Sequence, residues 1–84
     1  MNREQLKTEL TSLKIDPSAY CLTGGLPNER LVLNQEPSGL WEVYYSERGQ
    51  KNGLRTFDSE TSAVQFFLNA ILNDSAVRRI NTNT

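Results

Sequence analysis

The sequence predicts an α+β fold: an N-terminal helix, a three- to four-stranded antiparallel β-meander, and a C-terminal helix followed by a short terminal helix, with the helices packed on one sheet face. Three observations predict it. Leu40–Ser46 holds the only tryptophan and two of the three tyrosines, in a run that suits a pleated, half-buried surface. Residues 63–72 repeat apolar side chains at helical spacing. Clusters of Pro, Gly and Asn punctuate the chain on either side of the aromatic run, as in a meander.

The first helix is expected over about residues 3–13. Asn2 and Gln5 have the spacing of a capping box, and Leu6, Leu10 and Leu13 form a narrow apolar stripe. Asp16-Pro17 stops it, because the residue before proline avoids the α region. Tyr20-Cys21-Leu22 reads as a short strand or extended arm. Gly24-Gly25 then bends the chain, and Leu26-Pro27-Asn28 reads as a turn.

Glu29–Asn34 is the next strand, with Leu31 and Leu33 on one face and Arg30 and Val32 on the other. A loop at 34–39 leads into the central strand, 40–46. There Trp41, Val43 and Tyr45 share one face, predicted as core, and Glu42, Tyr44 and Ser46 share the other. A second loop, 47–53, ends in Asn52-Gly53, and Leu54–Phe57 is predicted as a short edge strand. Asp58 is expected to cap the principal helix, whose face is Ala63, Val64, Phe67, Leu68, Ile71 and Leu72. Asn73 would terminate it. Asp74 would cap one more turn through Val77 and Ile80, and Asn81–Thr84, with nothing to bury, would fray. Residues 1–84 form one domain on this reading, with the second face of the sheet open to solvent.

Nine basic and ten acidic residues give a net charge of -1, which argues against broad nucleic-acid binding, since that needs surplus cations. A single cysteine, Cys21, excludes an internal disulfide. The charged N-terminus lacks an apolar h-region, and no run reaches the ~18 apolar residues of a membrane span. Together these predict a cytoplasmic protein with no membrane association. There is no histidine, which removes the commonest general base and metal ligand. Lys7, Lys14 and Lys51 fall at helix-surface or loop positions, Gly24-Gly25 lacks the surroundings of a phosphate cradle, and the carboxylates make no Asp-x-Asp cluster. The residues thus predict no catalysis, no metal and no cofactor.

What remains is a surface. Tyr44 on the expected open face, beside Glu42, Arg30 and Arg55 and with Glu47 at the strand end, has the composition of a protein interface: an aromatic amid charges. These five residues are the predicted partner-binding set. The bland alternative is that Tyr44 only packs across strands.

Trp41-Glu42-Val43-Tyr44-Tyr45-Ser46-Glu47-Arg48-Gly49, the upstream Leu26-Pro27-Asn28-Glu29, and Phe57-Asp58-Ser59-Glu60 leading into an apolar helix together resemble small bacterial immunity proteins. Such proteins are encoded beside polymorphic toxins, including those of contact-dependent growth inhibition systems. The resemblance implies a cytoplasmic inhibitor that binds the toxin domain of its own system, often a nuclease and often one acting on transfer RNA. Its motifs are structural, so it assigns no contact residue. Two modes of contact follow from the residues: the open sheet face around Tyr44, or an exposed edge at 54–57 extended by a strand of the partner. A non-catalytic regulatory or structural module is the alternative, and RNA stacking on the aromatic strand is opposed by the acids beside Tyr44.

Overall fold

The structure, a computed structural model, describes residues 1–73. The short helix expected from Asp74 and the fraying expected at Asn81–Thr84 lie outside the described residues. Helix α1 (Arg3–Ser12) starts with the reciprocal cap its sequence predicts. Asn2 Oδ1 accepts from the Gln5 amide at 2.8 Å, and Gln5 Oε1 accepts from the Asn2 amide at 2.9 Å. Asp16 then caps a single turn of 3-10 helix at Pro17–Ala19, its Oδ1 accepting from the Ser18 amide at 2.8 Å. Four strands follow, β1 (Tyr20–Cys21), β2 (Arg30–Gln35), β3 (Trp41–Glu47) and β4 (Gln50–Phe57), and then helix α2 (Glu60–Asn73). Ser59 rather than Asp58 caps α2: its Oγ accepts from the Ser62 amide at 3.2 Å, so the helix starts one residue later than expected.

The strands lie in the order β1-β2-β3-β4. β2–β3 and β3–β4 are antiparallel, but β1 runs parallel to β2, so the sheet is mixed rather than a pure antiparallel meander. Parallel pairing obliges the chain to travel back before the next strand can start. Residues 22–29 make that return without a helix. The Gly24 amide donates to Leu33 O at 3.2 Å, Tyr44 Oη donates to Gly25 O at 2.6 Å, and the Arg48 amide donates to Asn28 Oδ1 at 3.2 Å. The return path therefore lies across the sheet face opposite the helices, and that face is roofed over instead of open. Val32, Tyr44, Ser46 and Glu42 are all buried there.

The helix-facing side behaves as predicted. Leu33, Trp41 and Val43 pack with Leu6 and Leu10 of α1 and with Ala63, Val64, Phe67 and Ile71 of α2 in one cluster. Each fully buried Leu, Val or Phe here stabilises the fold by about 1.5–3 kcal/mol. Tyr45, expected in the core with Trp41 and Val43, is only half-buried.

β4 departs furthest from expectation, since it starts at Gln50, not Leu54. The hairpin reverses at Arg48-Gly49, both in left-handed conformation (φ 53° and 76°), which makes a two-residue turn closed by the Glu47–Gln50 pair. Asn52-Gly53, the stronger turn signal, instead lies within the strand. Val43 pairs with Arg55 and Tyr45 with Asn52, so β4 carries one residue more than β3 over this stretch, and Gly53 (φ 65°) supplies the left-handed residue of the bulge.

Gly24 illustrates how tightly the return segment is seated. A Cβ there would collide with Asn34 Oδ1, and the residue sits at φ 78°. Asn34 cannot swing aside without breaking its bond to Glu42. Gly24→Ala is therefore expected to destabilise the protein by about 1–3 kcal/mol in urea titration. An unchanged midpoint would show that this segment is loosely held.

Candidate protein-binding surface

The β3–β4 hairpin brings the charged residues of the chain's middle together, and alternation along each strand decides where they point. On the face opposite the helices, Glu42 lies between Asn34 of β2 and Thr56 of β4, and Ser46 between Arg30 and Lys51. Glu42 is 3% exposed. Its Oε1 accepts from Asn34 Nδ2 at 3.0 Å and from Lys51 Nζ at 3.4 Å. The Glu36 carboxyl, reaching over from the β2–β3 loop, shares a hydrogen bond with it. This bond holds the Glu42 carboxyl below its usual range, aided by Asn34 and Lys51 and opposed by burial. The same bond, and the Glu42 charge, push Glu36 up.

Lys51 Nζ also stands 4.8 Å from the centre of the Tyr44 ring. Tyr44 is 1% exposed, and burial pushes its phenol above the ordinary tyrosine range. On the other face, Arg55 lies over the Phe66 ring at 5.6 Å, and Phe66 packs against Phe57 with ring centres 5.3 Å apart.

The five residues predicted as a partner-binding set do not form one patch. Tyr44 and Glu42 are internal, because the 22–29 segment covers the face that was expected to be open. Arg30 is half-buried opposite Ser46. Glu47 is half-buried at the end of β3, where it pairs with Gln50. Arg55 alone of the five is exposed, and it lies on the helix side of β4. Tyr44 and Glu42 are therefore not presented to a partner on that face.

The surface that is available is β4 with its turn. Every residue from Arg48 to Thr56 is exposed, including Leu54 at 45%. The edge expected at 54–57 included Leu54 but stopped short of Lys51 and Asn52. The signal was there: Leu54 is the only large apolar residue between Gln50 and Thr56, and a strand polar on both faces has little of its own chain to pack against. Elsewhere, an open groove of about 330 Å³ is lined by Arg3, Glu4, Lys7, Tyr20, Leu22 and Thr23. Its guanidinium is already engaged, with Arg3 Nη1 donating to Leu22 O at 3.3 Å and lying over Trp41 at 5.5 Å.

Among the described residues no three of His, Cys, Asp and Glu come together as metal ligands, and no helix is long and apolar enough to cross a membrane. Comparison with family models, with curated proteins and with solved structures gives no match.

Proposed function

We propose that the protein is an immunity protein. It binds the toxin domain of its own bacterial system in the cytoplasm and neutralises it, the toxin being a nuclease, with transfer RNA among its possible targets. It does so by binding alone, as a non-catalytic protein. The observation that carries this reading is β4. The sheet buries residues on both of its faces, yet seven of the eight residues of β4 and its turn remain exposed, with Arg48, Lys51 and Arg55 among them. Such a surface costs the fold stability and suits a partner protein. The resemblance in residues 26–29, 41–49 and 57–60 supplies the kind of partner.

The test is co-expression with the toxin domain encoded beside the gene. Cells are expected to survive when both chains are made and to die when the toxin is made alone, and the two chains are expected to purify as one complex. Death despite co-expression, with no complex, would overturn the reading. A stable complex with a neighbouring protein that is not toxic would favour the regulatory module in its place.

A further inference from the structure

Resting on that reading, we infer that β4 is a docking edge that takes up an acidic, extended segment of the toxin domain as a fifth strand of the sheet. β4 is the last strand in the order, hydrogen-bonded to β3 along one side. Among the described residues no segment pairs with its other side. Eight residues span about 26 Å at strand rise, long enough to seat a complete partner strand. β1, at the opposite edge, is two residues long and offers no comparable site.

Charge decides the occupant. Arg48 stands in the turn, Lys51 on the face of β4 away from the helices and Arg55 on the helix side, and no acid occurs between Arg48 and Phe57, so both faces of the strand are basic. Lys51 is partly spent on Glu42, its side chain still 40% exposed. Among the described residues Arg48 and Arg55 have no carboxylate partner. A second copy of β4 is a poor occupant, because two such edges side by side would put six cations on one ribbon, with only each Lys51 partly offset by its own Glu42, and like charges across strands are destabilising. The bulge at Gly53 adds local twist, a further guard against flat edge-to-edge pairing of identical strands. A segment carrying Asp or Glu answers all three cations, and backbone hydrogen bonds along the edge supply affinity without requiring particular side chains. Exposed Leu54 provides one apolar anchor point.

The experiment is amide hydrogen exchange on the protein alone and in complex with the toxin domain. Amides within Gln50–Phe57 that exchange freely in the isolated protein are expected to become protected in the complex. The Arg48→Glu/Arg55→Glu variant is expected to bind about tenfold more weakly or worse, chiefly through slower association, with its salt dependence reduced. A complex that forms with β4 amides exchanging as before overturns the strand-addition inference and leaves the immunity reading standing. Failure to form any complex overturns the immunity reading itself. Protection of β4 in the isolated protein at high concentration, accompanied by dimerisation, would show that a second copy is the occupant and would also overturn the inference.

Discussion

Tyr44→Ala is expected to cost about 3–5 kcal/mol of folding stability, the range for emptying a buried aromatic site. Tyr44 is among the largest fully buried side chains, packed on Val32 across the β2–β3 pair and capped by Lys51. Its removal also leaves Gly25 O without the hydroxyl that binds it at 2.6 Å. A domain of this size has only roughly 4–12 kcal/mol in total, so the melting temperature should fall on the order of 20 °C. Tyr44→Phe isolates the hydroxyl. It keeps the ring and should lose about 1–2 kcal/mol, the cost of an orphaned buried acceptor.

The phenol also sets a pH limit. Because burial raises the Tyr44 pKa in the folded state, its contribution is complete below the ordinary tyrosine value and drains away as pH rises through the folded one. Tyr44→Phe should lack that alkaline loss. Thermal melts of the three proteins at neutral and alkaline pH are the measurement. If Tyr44→Ala melts with the parent protein, the residue is not covered and the sheet face is open after all. If the proposed immunity function holds, any loss of neutralisation in Tyr44→Ala follows from its reduced folded fraction rather than from a lost contact.

How far the fold was legible depended on whether the information was local. The Asn2–Gln5 box, the apolar stripes of both helices and the alternation in Trp41–Ser46 are short-range patterns, and each led to the right element; the faces follow except at the ends, where Leu13 is the C-cap of α1 and 40% exposed and Tyr45 is half-buried. The direction of β1 is not local. Leu26-Pro27-Asn28 reads as a chain reversal, and a reversal suggests a hairpin, but pairing sense depends on where the chain goes between turns. Residues 22–29 go back across the sheet, which makes β1 parallel and covers the second face in one step. Two errors, the meander and the open face, therefore have a single cause.

The hairpin error has a different origin. Asn52-Gly53 is the best type I′ signal in the chain, yet Arg48-Gly49 makes the turn. Turning at 48–49 lets Phe57 pair with Trp41 and stack on Phe66. Gly53 then accommodates the extra residue as a bulge, so the tertiary packing of Phe57 outweighs the local preference of Asn-Gly. The candidate site suffered accordingly. Alternation correctly put Glu42 and Tyr44 on the face away from the helices, but alternation cannot say what lies over a face. The edge strand itself, drawn too short at 54–57, was legible because an edge is recognisable by what it lacks.

Glu42→Lys is the second change expected to have a large effect, about 3–5 kcal/mol, because it replaces a paired buried carboxylate with a cation facing another cation. The ion pair itself supplies little of this. Lys51 is partly solvated, and such a pair is worth about 1 kcal/mol at most. The larger part comes from placing an ammonium where Asn34 Nδ2 and Lys51 Nζ both point as donors, with nothing to accept its protons except Glu36.

Glu42→Gln separates charge from shape, and pH reports on it. Glu42 has a depressed pKa, so its stabilisation is complete above the ordinary glutamate value and is lost as pH falls through the folded one. Glu36 has a raised pKa, so its contribution is complete below the ordinary value and is lost as pH rises through its own. The pair therefore stabilises most between the two folded values, where Glu36 keeps its proton and donates it to ionised Glu42. Glu42→Gln should remove the acid-side loss. Glu36→Gln, which offers an amide donor at every pH, should remove the loss on the other side and leave the protein relatively more stable at neutral pH. Melting temperature against pH for the three chains tests this. Parallel curves would mean that the two carboxyls do not share a proton and that the β2–β3 loop is held to the sheet by its Glu36–Leu40 backbone bond without help from Glu42.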